Sequence, residues 1–427
     1  MKFTRLAIGL ALAGLSIGAN ATNGYFSHGY GMKAKGMAGA ATTSTEDAFF
    51  GANNPAAAAF VGNRMDLGAD LFSPIRQATN VGGALSGYAE SESNFFLVPE
   101  FGYNRMINPD LALGVTVYGN GGMNTNYDPI VSPAPNMLGG VGNLGVDLMQ
   151  LIVAPTAAYK LAPNHSVGIS PLLGYQRFRA EGLQGFAGFQ APGTPSMANN
   201  LGYDDAFGYG VRVGYLGKIT PTVTIGAAYA SKMNFSEFDT YAGLFAEQGD
   251  FDIPENYNVG ISWQATPAVR LALDYQRINY SDINSIGNPV FPNFAFNLLG
   301  NDAGPGFGWD DVNVFKLGME YKYNNSWTIR AGYSHANNPI EGDLACAGMP
   351  FNTTCGEVMF NILAPAVVEN HITLGFTYKR ANGDEITAAY MHGFDNDVSG
   401  ARPGFGGGID TIRMYQNSVG LQYSWKM

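Results

Sequence analysis

The sequence predicts an all-β membrane protein: a 14-stranded antiparallel transmembrane β-barrel plugged by an N-terminal hatch. Three observations carry that expectation. Charged residues make up 13% of the chain, half of the ~25% usual in a soluble domain, although the apolar share is an ordinary 46%. Period-two alternation recurs from about residue 64 to the end, as in strands with one apolar and one polar face. The connections between these segments alternate between short and long, as in bacterial outer-membrane barrels with short periplasmic turns and long extracellular loops. Past the first residues, no apolar run approaches the ~20 residues that a helix needs to cross hydrocarbon, which excludes a helical membrane protein.

Residues 1–21 read as a secretory signal peptide: Lys2 and Arg5 lead an apolar stretch from Leu6 to Ile17, and Ala19, Asn20 and Ala21 form a small-x-small cleavage site. Losing Lys2 and Arg5 takes the net charge from −11 to −13. Nucleic acid is thereby excluded as a partner, because binding its phosphates needs clustered Lys and Arg.

Residues 22–63 are rich in Gly, Ala and Ser/Thr and lack sustained alternation. About forty residues are too few for a core of their own, so this stretch is expected to fold inside the lumen, against walls that supply its contacts. Residues 64–427 form the barrel. Its segments fall near 64–72, 93–107, 111–120, 146–161, 166–180, 206–218, 222–236, 253–265, 268–281, 310–323, 327–336, 367–379, 385–394 and 412–427. The tenth shows the pattern best, with Phe315, Leu317, Met319 and Tyr321 alternating with Lys316, Gly318, Glu320 and Lys322. The even count puts both chain ends on the periplasmic side. The last segment alternates through Val419, Leu421, Tyr423 and Trp425 to Met427, the kind of terminal strand that the outer-membrane assembly machinery reads, with Met427 in place of the usual terminal aromatic.

Cys346 and Cys355 lie in a Gly, Pro and Asn-rich stretch. In an oxidising compartment they are expected to form a loop disulfide rather than half of a zinc site, since no His accompanies them. The five histidines, His28, His165, His335, His371 and His392, show no metal-ligand spacing and no Ser/His/Asp arrangement. No cofactor is expected. An outer-membrane barrel enzyme and a structural surface protein remain the alternative classes, the first needing a base beside a nucleophile, the second having no lumen path. A general porin is disfavoured by the plug.

Several motifs carry a family resemblance. Gly24, Phe26, Gly29, Gly31, Lys35, Gly36, Gly39, Ala40, Asp47 and the run Asn54, Pro55, Ala56 resemble the N-terminal hatch of the FadL family of outer-membrane long-chain fatty acid transporters. Residues 315–340, with Leu317, Gly318, Tyr321, Trp327, Thr328, Arg330, Gly332 and Pro339, are similar to its paired late strands. Tyr390, Met391, His392 and Gly393 resemble a run in the next hairpin, and Asp147 to Tyr159, followed by Lys160, Leu161 and the turn to Ser166, resembles its fourth and fifth strands. The resemblance spans essentially the whole mature chain. It implies a monomeric barrel in the outer membrane, surrounded by lipid and lipopolysaccharide, that takes up hydrophobic small molecules passively. Capture would occur between the third and fourth extracellular loops, followed by a lumen site beside the mature N-terminus and sideways exit at a kink in the third strand.

Carried onto this chain, the capture residues would be Phe186, Phe189, Met197 and Leu201 of loop three and Tyr241, Leu244 and Phe245 of loop four, with packing of the two loops as the plain alternative. Phe26 would touch ligand in the lumen. Gly121 and Gly122 would mark the kink, or else simply begin a loop. Asn54, Pro55 and Ala56 would either shape a turn or move with the gate. A fatty acid carboxylate needs a cation, and Arg177 and Arg179 sit where relatives carry a basic cluster, although their parity aims them outward at lipopolysaccharide unless Pro171 introduces a bulge. Just before the tenth strand Trp309, Asp310 and Asp311 stand where a second cation is expected, which favours neutral, toluene-like hydrocarbons as the alternative cargo.

Overall fold

A computed structural model describes residues 23–291, 297–346 and 355–427, so the expected signal peptide lies outside the described residues. Its strands form one antiparallel sheet of sixteen. Two are short additions, Gly87–Glu90 beside the first strand and Asn234–Phe235 beside the sixth; the other fourteen are the barrel. In chain order they are β1 (Arg64–Val81), β2 (Phe96–Met106), β3 (Leu111–Asn124), β4 (Gly145–Ala162), β5 (His165–Glu181), β6 (Asp204–Lys218) and β7 (Val223–Ala230). They continue as β8 (Asn256–Gln264), β9 (Val269–Ile278), β10 (Val312–Lys322), β11 (Trp327–Ala336), β12 (Asn370–Lys379), β13 (Glu385–Ala401) and β14 (Ile409–Lys426). Each pairs with its successor. β14 closes on β1 in unbroken register, from Arg64 opposite Lys426 to Val81 opposite Ile409, so neither end of the sheet is left as an edge.

The alternation read from sequence is the inside and outside of this wall. On β10, Phe315, Leu317 and Met319 face out while Lys316 and Glu320 are buried in the lumen. Outward apolar side chains meet hydrocarbon; inward polar ones would be costly unless something inside bonds to them.

That something is the chain preceding β1. Residues 23–60 are almost wholly buried, and their regular structure is limited to single turns: Met32–Lys35, Pro55–Ala57 and Ala58–Val61. Many of their backbone groups therefore lack local partners, and the wall supplies several. The amides of Ala48, Gly31 and Gly51 donate to Asp66 (2.8 Å), Glu100 (2.9 Å) and Thr116 (3.1 Å) on β1, β2 and β3. Those of Thr42, Ala38 and Met32 donate to Asp274 (2.8 Å), Thr373 (2.9 Å) and Gln422 (2.9 Å) on β9, β12 and β14. Lys35 lies 2.8 Å from Asp70 and 2.9 Å from Glu100, all three buried. Burial alone would lower the Lys35 ammonium, but the two carboxylates hold it above the usual lysine range. Nearer the periplasm Glu46 bridges Arg270 (3.0 Å) and Arg330 (2.9 Å).

Asn54, Pro55 and Ala56 shape a turn. The Asn54 side chain accepts from the Ala56 amide at 3.1 Å, capping the turn that Pro55 begins, and donates to the carbonyls of Thr42 and Tyr215. The wall is thinned to receive it: a Cβ on Gly168 would stand 2.4 Å from Pro55, and one on Gly214 2.1 Å from the Asn54 side-chain oxygen.

One hatch carboxyl is poorly compensated. Burial, and then the charge of Asp66, raise Asp47 to about 7, against the opposing pull of Lys33 and Arg64. A raised carboxyl favours the docked hatch when protonated, so this contribution is complete below the ordinary range near ~4 and is lost as pH rises through about 7. Hatch protection in hydrogen exchange should weaken between pH 5 and 8 by on the order of 2 kcal/mol, and Asp47→Asn should flatten the profile. An unchanged profile in the variant would assign the pH dependence to another group.

Candidate ligand-binding site

Above the middle of the wall, the ladder between β2 and β3 stops. The two strands pair from Met106 opposite Ala112 to Phe101 opposite Val117. Beyond that point β2 continues along β1 to Phe96, while β3 continues along β4 to Asn124, with a register shift between Gly119 and Gly121. Gly121 and Gly122 thus lie within an irregular strand and do not begin a loop. Glycine suits such a bulge because the backbone leaves the regular pleat and is approached closely by another chain.

The approaching chain is the start of the hatch. Phe26 and Gly121 form an antiparallel bridge, with Ser27 N–H donating to Asn120 O at 3.1 Å and Gly122 N–H to Tyr25 O at 3.2 Å. The hatch terminus therefore supplies the backbone partners that β2 does not. Tyr280, in the turn Tyr280–Asp282 after β9, latches the same segment: its hydroxyl accepts from the amides of Tyr25 (3.1 Å) and Phe26 (3.3 Å) and donates to Asn23 O (2.6 Å). Gly24, at φ +66°, leaves room for that ring, since a Cβ would meet the hydroxyl at 2.5 Å.

Aromatic contacts connect this latch to the extracellular loops. Phe178 of β5 stands 4.8 Å from Phe245, which stands 4.8 Å from Phe251. Phe251 is 6.1 Å from Tyr25, Tyr25 is 5.2 Å from Tyr280, and Tyr280 is 5.8 Å from Phe26. Trp309 packs beside Tyr25 and Tyr280 and donates its indole N–H to Asn361 at 2.6 Å.

The structure sorts the residues expected from sequence. Phe26, Tyr241 and Phe245 belong to this assembly, Tyr241 packing on Phe178 at 4.7 Å. Phe186 and Phe189 meet Phe405 of the last loop instead, at 4.8 and 5.4 Å. Met197 is buried, Leu201 and Leu244 are partly buried, and of the seven only Phe189 is exposed. Loops three and four are joined by Gln190 donating to Gly243 O and by Tyr241 donating to Gly202 O. Phe186, Met197, Tyr241 and Phe245 are buried in one apolar cluster, with Leu201 and Leu244 packed against it.

Arg177 and Arg179 are corrected. Gln176, Phe178 and Ala180 take the buried face of β5, and register with β6 runs through Pro171 without a shift, so both arginines face outward. They flank the Tyr203 ring, at 4.1 and 4.9 Å, and pair with Asp205 and Glu181. Of the three residues just before β10, Asp310 is exposed, Asp311 pairs with Arg277, and Trp309 is buried beside Tyr25 and Tyr280. Cys346 and Cys355 are disulfide-bonded, which occupies both sulfurs of the one cluster with Asp343 that has metal-ligand proximity among the described residues. Sequence reasoning missed Tyr25, Phe178, Phe251 and Tyr280; the inward parity of Phe178 was the available signal.

Residues 18–404 match the family model described as outer membrane protein transport protein (OMPP1/FadL/TodX). The chain is similar to the crystal structure of a Pseudomonas aeruginosa FadL homologue, with 17% identity and a TM-score of 0.70 over 94% of this chain and 99% of that one. Similar too are the P. putida toluene transporter TodX, at 19% identity and a TM-score of 0.66, and the Ralstonia pickettii toluene transporter TbuX, at 19% and 0.64, each over 94% of this chain and 99% of the other. No curated protein sequence matches.

Proposed function

Because the chain belongs to the OMPP1/FadL/TodX family of outer-membrane transport proteins, we propose that it carries long-chain fatty acids inward from the loops, past the hatch terminus, and out through the interrupted wall between β2 and β3. Uptake of hydrophobic compounds is the family's function. The observation that carries the finer reading is the pairing of Tyr25, Phe26 and Ser27 with the bulge of β3, which makes one segment both the stopper of the lumen site and the seal of the gap. Moving it opens both together.

Two further features support the route. Ring contacts run in succession from Phe178 through Phe245 and Phe251 to Tyr25, apolar surface that a hydrophobic ligand can bury at roughly 25 cal/mol per Å² before ordering costs. Straight exit is opposed by a polar vestibule of ≈ 630 Å³ under the hatch, lined by Lys33, Glu46, Arg64, Glu320, Arg330 and Glu385. An apolar chain gains nothing in that charged mouth, whereas the gap opens toward hydrocarbon.

A second reading, uptake of neutral aromatics, is favoured by the ring-lined site itself, and toluene transporters are among the similar structures. Labelled oleate and labelled toluene, offered to cells lacking such a transporter, separate the two. Oleate should enter several-fold faster with the protein than without it. Toluene uptake alone would assign the second reading, and acceleration of neither would remove both.

A further inference from the structure

Cations inside this barrel are mostly matched to carboxylates: Lys33 to Glu385, Lys35 to Asp70 and Glu100, Arg330 to Glu320 and Arg402 to Asp410. Arg76 of β1 is not. It is 3% exposed, and among the described residues no carboxylate lies within ion-pair distance. Its terminal nitrogens donate to the carbonyls of Ser93 and Asn124, with Asn94 Oδ1 at 3.5 Å, its guanidinium lies 5.6 Å from the Phe96 ring, and its Nε has no partner. Carbonyl oxygens solvate a guanidinium without neutralising it, so a buried positive charge is left over. Arg212 and Lys316 also lack an ion pair, but Lys316 stands across from Asp274 in the β9–β10 register and Arg212 is taken up by Gly51 O and Asn256.

Of the three, it is Arg76 that lines a small cavity, with Phe72, Gly122, Met123, Trp309 and Met414. The space is ≈ 20 Å³, about one oxygen-sized group. It abuts the stopper, because Gly122 is the residue bonded to Tyr25 O and the Trp309 ring is 6.1 Å from that of Tyr25. Ser93 lies three residues before β2 and Asn124 ends β3, so the charge sits at the upper rim of the gap.

We propose that Arg76 is the anion-binding residue of the transport path, receiving the carboxylate of a long-chain acid whose tail lies along Trp309 in the space that Tyr25 and Phe26 vacate. The proposal rests on the fatty acid reading above and supplies its selectivity: a guanidinium binds a carboxylate by charge-assisted hydrogen bonds and gains nothing from a neutral chain of equal length.

The test compares binding of oleate and oleyl alcohol to the purified protein, to Arg76→Gln and to Arg76→Lys. Arg76→Gln should weaken oleate by about 30-fold or more and leave oleyl alcohol within about twofold, with Arg76→Lys between. Equal losses for both ligands, or none for oleate, would overturn the assignment. Since Arg76 also ties two strand ends, a measurement on the unaltered protein stands beside the variants: the carboxyl carbon signal of bound, carboxyl-labelled oleate followed against pH. Paired with Arg76 the carboxyl stays ionised well below the ~4 to 5 of a free one, and titration at or above that range overturns the pairing. Binding of oleyl alcohol without oleate would remove the anion site while leaving hydrophobic uptake standing; binding of neither would remove both.

Discussion

Oxidising a Phe26→Cys/Gly121→Cys variant should reduce oleate uptake to the level of cells without the protein, and reductant should restore it. The two residues are bridge partners in an antiparallel ladder, flanked by the bonds from Ser27 N–H to Asn120 O and from Gly122 N–H to Tyr25 O. Facing residues in such a ladder have Cα atoms about 4.5 to 5.5 Å apart, within the range a disulfide spans. The bond adds a covalent tie where hydrogen bonds and ring contacts now hold the hatch terminus, and it does so at the seal itself. Reductant also acts on the Cys346–Cys355 bond, so the unaltered protein under reductant is the reference. Full uptake by the oxidised variant would show that the hatch terminus stays in place during transport.

The second large effect concerns seating of the hatch. Lys35→Met leaves Asp70 and Glu100 buried against each other with no cation, and stranding a buried charge in this way typically costs about 3 to 5 kcal/mol. That penalty falls on the docked hatch and spares the ladder bonds of the wall. Residues 23–63 should become open to protease while the barrel keeps its heat-modifiable mobility on gels, and hydrophilic solutes should leak through the lumen. Adding Asp70→Asn and Glu100→Gln should recover much of the protection. A hatch that stays resistant in the single variant would mean that its amide contacts suffice without the triad.

Much of the fold was legible because barrel physics writes itself into period two. A residue such as Leu317 faces lipid and Lys316 faces the lumen, and one step along the strand exchanges them. The same rule placed Arg177 and Arg179 outside, and parity outweighed the analogy that suggested a headgroup role. The site was less legible. Its residues come from β5, β8-flanking loop residues, the turn after β9 and the hatch, and nothing in local spacing says that Tyr280 meets Asn23 or that Phe251 meets Tyr25. Trp309 was noticed as a departure from a relative's pattern, yet its role comes from where the loop places it, beside Tyr25. Arg76 had no sequence signal at all. An arginine in an alternating strand is ordinary, and its missing partner is visible only once the surroundings of the other lumen cations have been traced.

The hatch is synthesised before the barrel but can be completed only after it. Its amide partners are spread from Asp66 and Glu100 at one end of the chain to Thr373 and Gln422 at the other, across β1, β2, β3, β9, β12 and β14. No partial barrel presents that set, so the segment is expected to reach its final seating only after β14 meets β1. A stretch that must wait this way is safest when rich in Gly, Ala and Ser/Thr, without the long β-forming apolar runs that nucleate aggregation. The composition that first marked residues 22–63 as different from the strands thus suits the order in which the molecule is built, and losing the last strand should unseat residues 23–63.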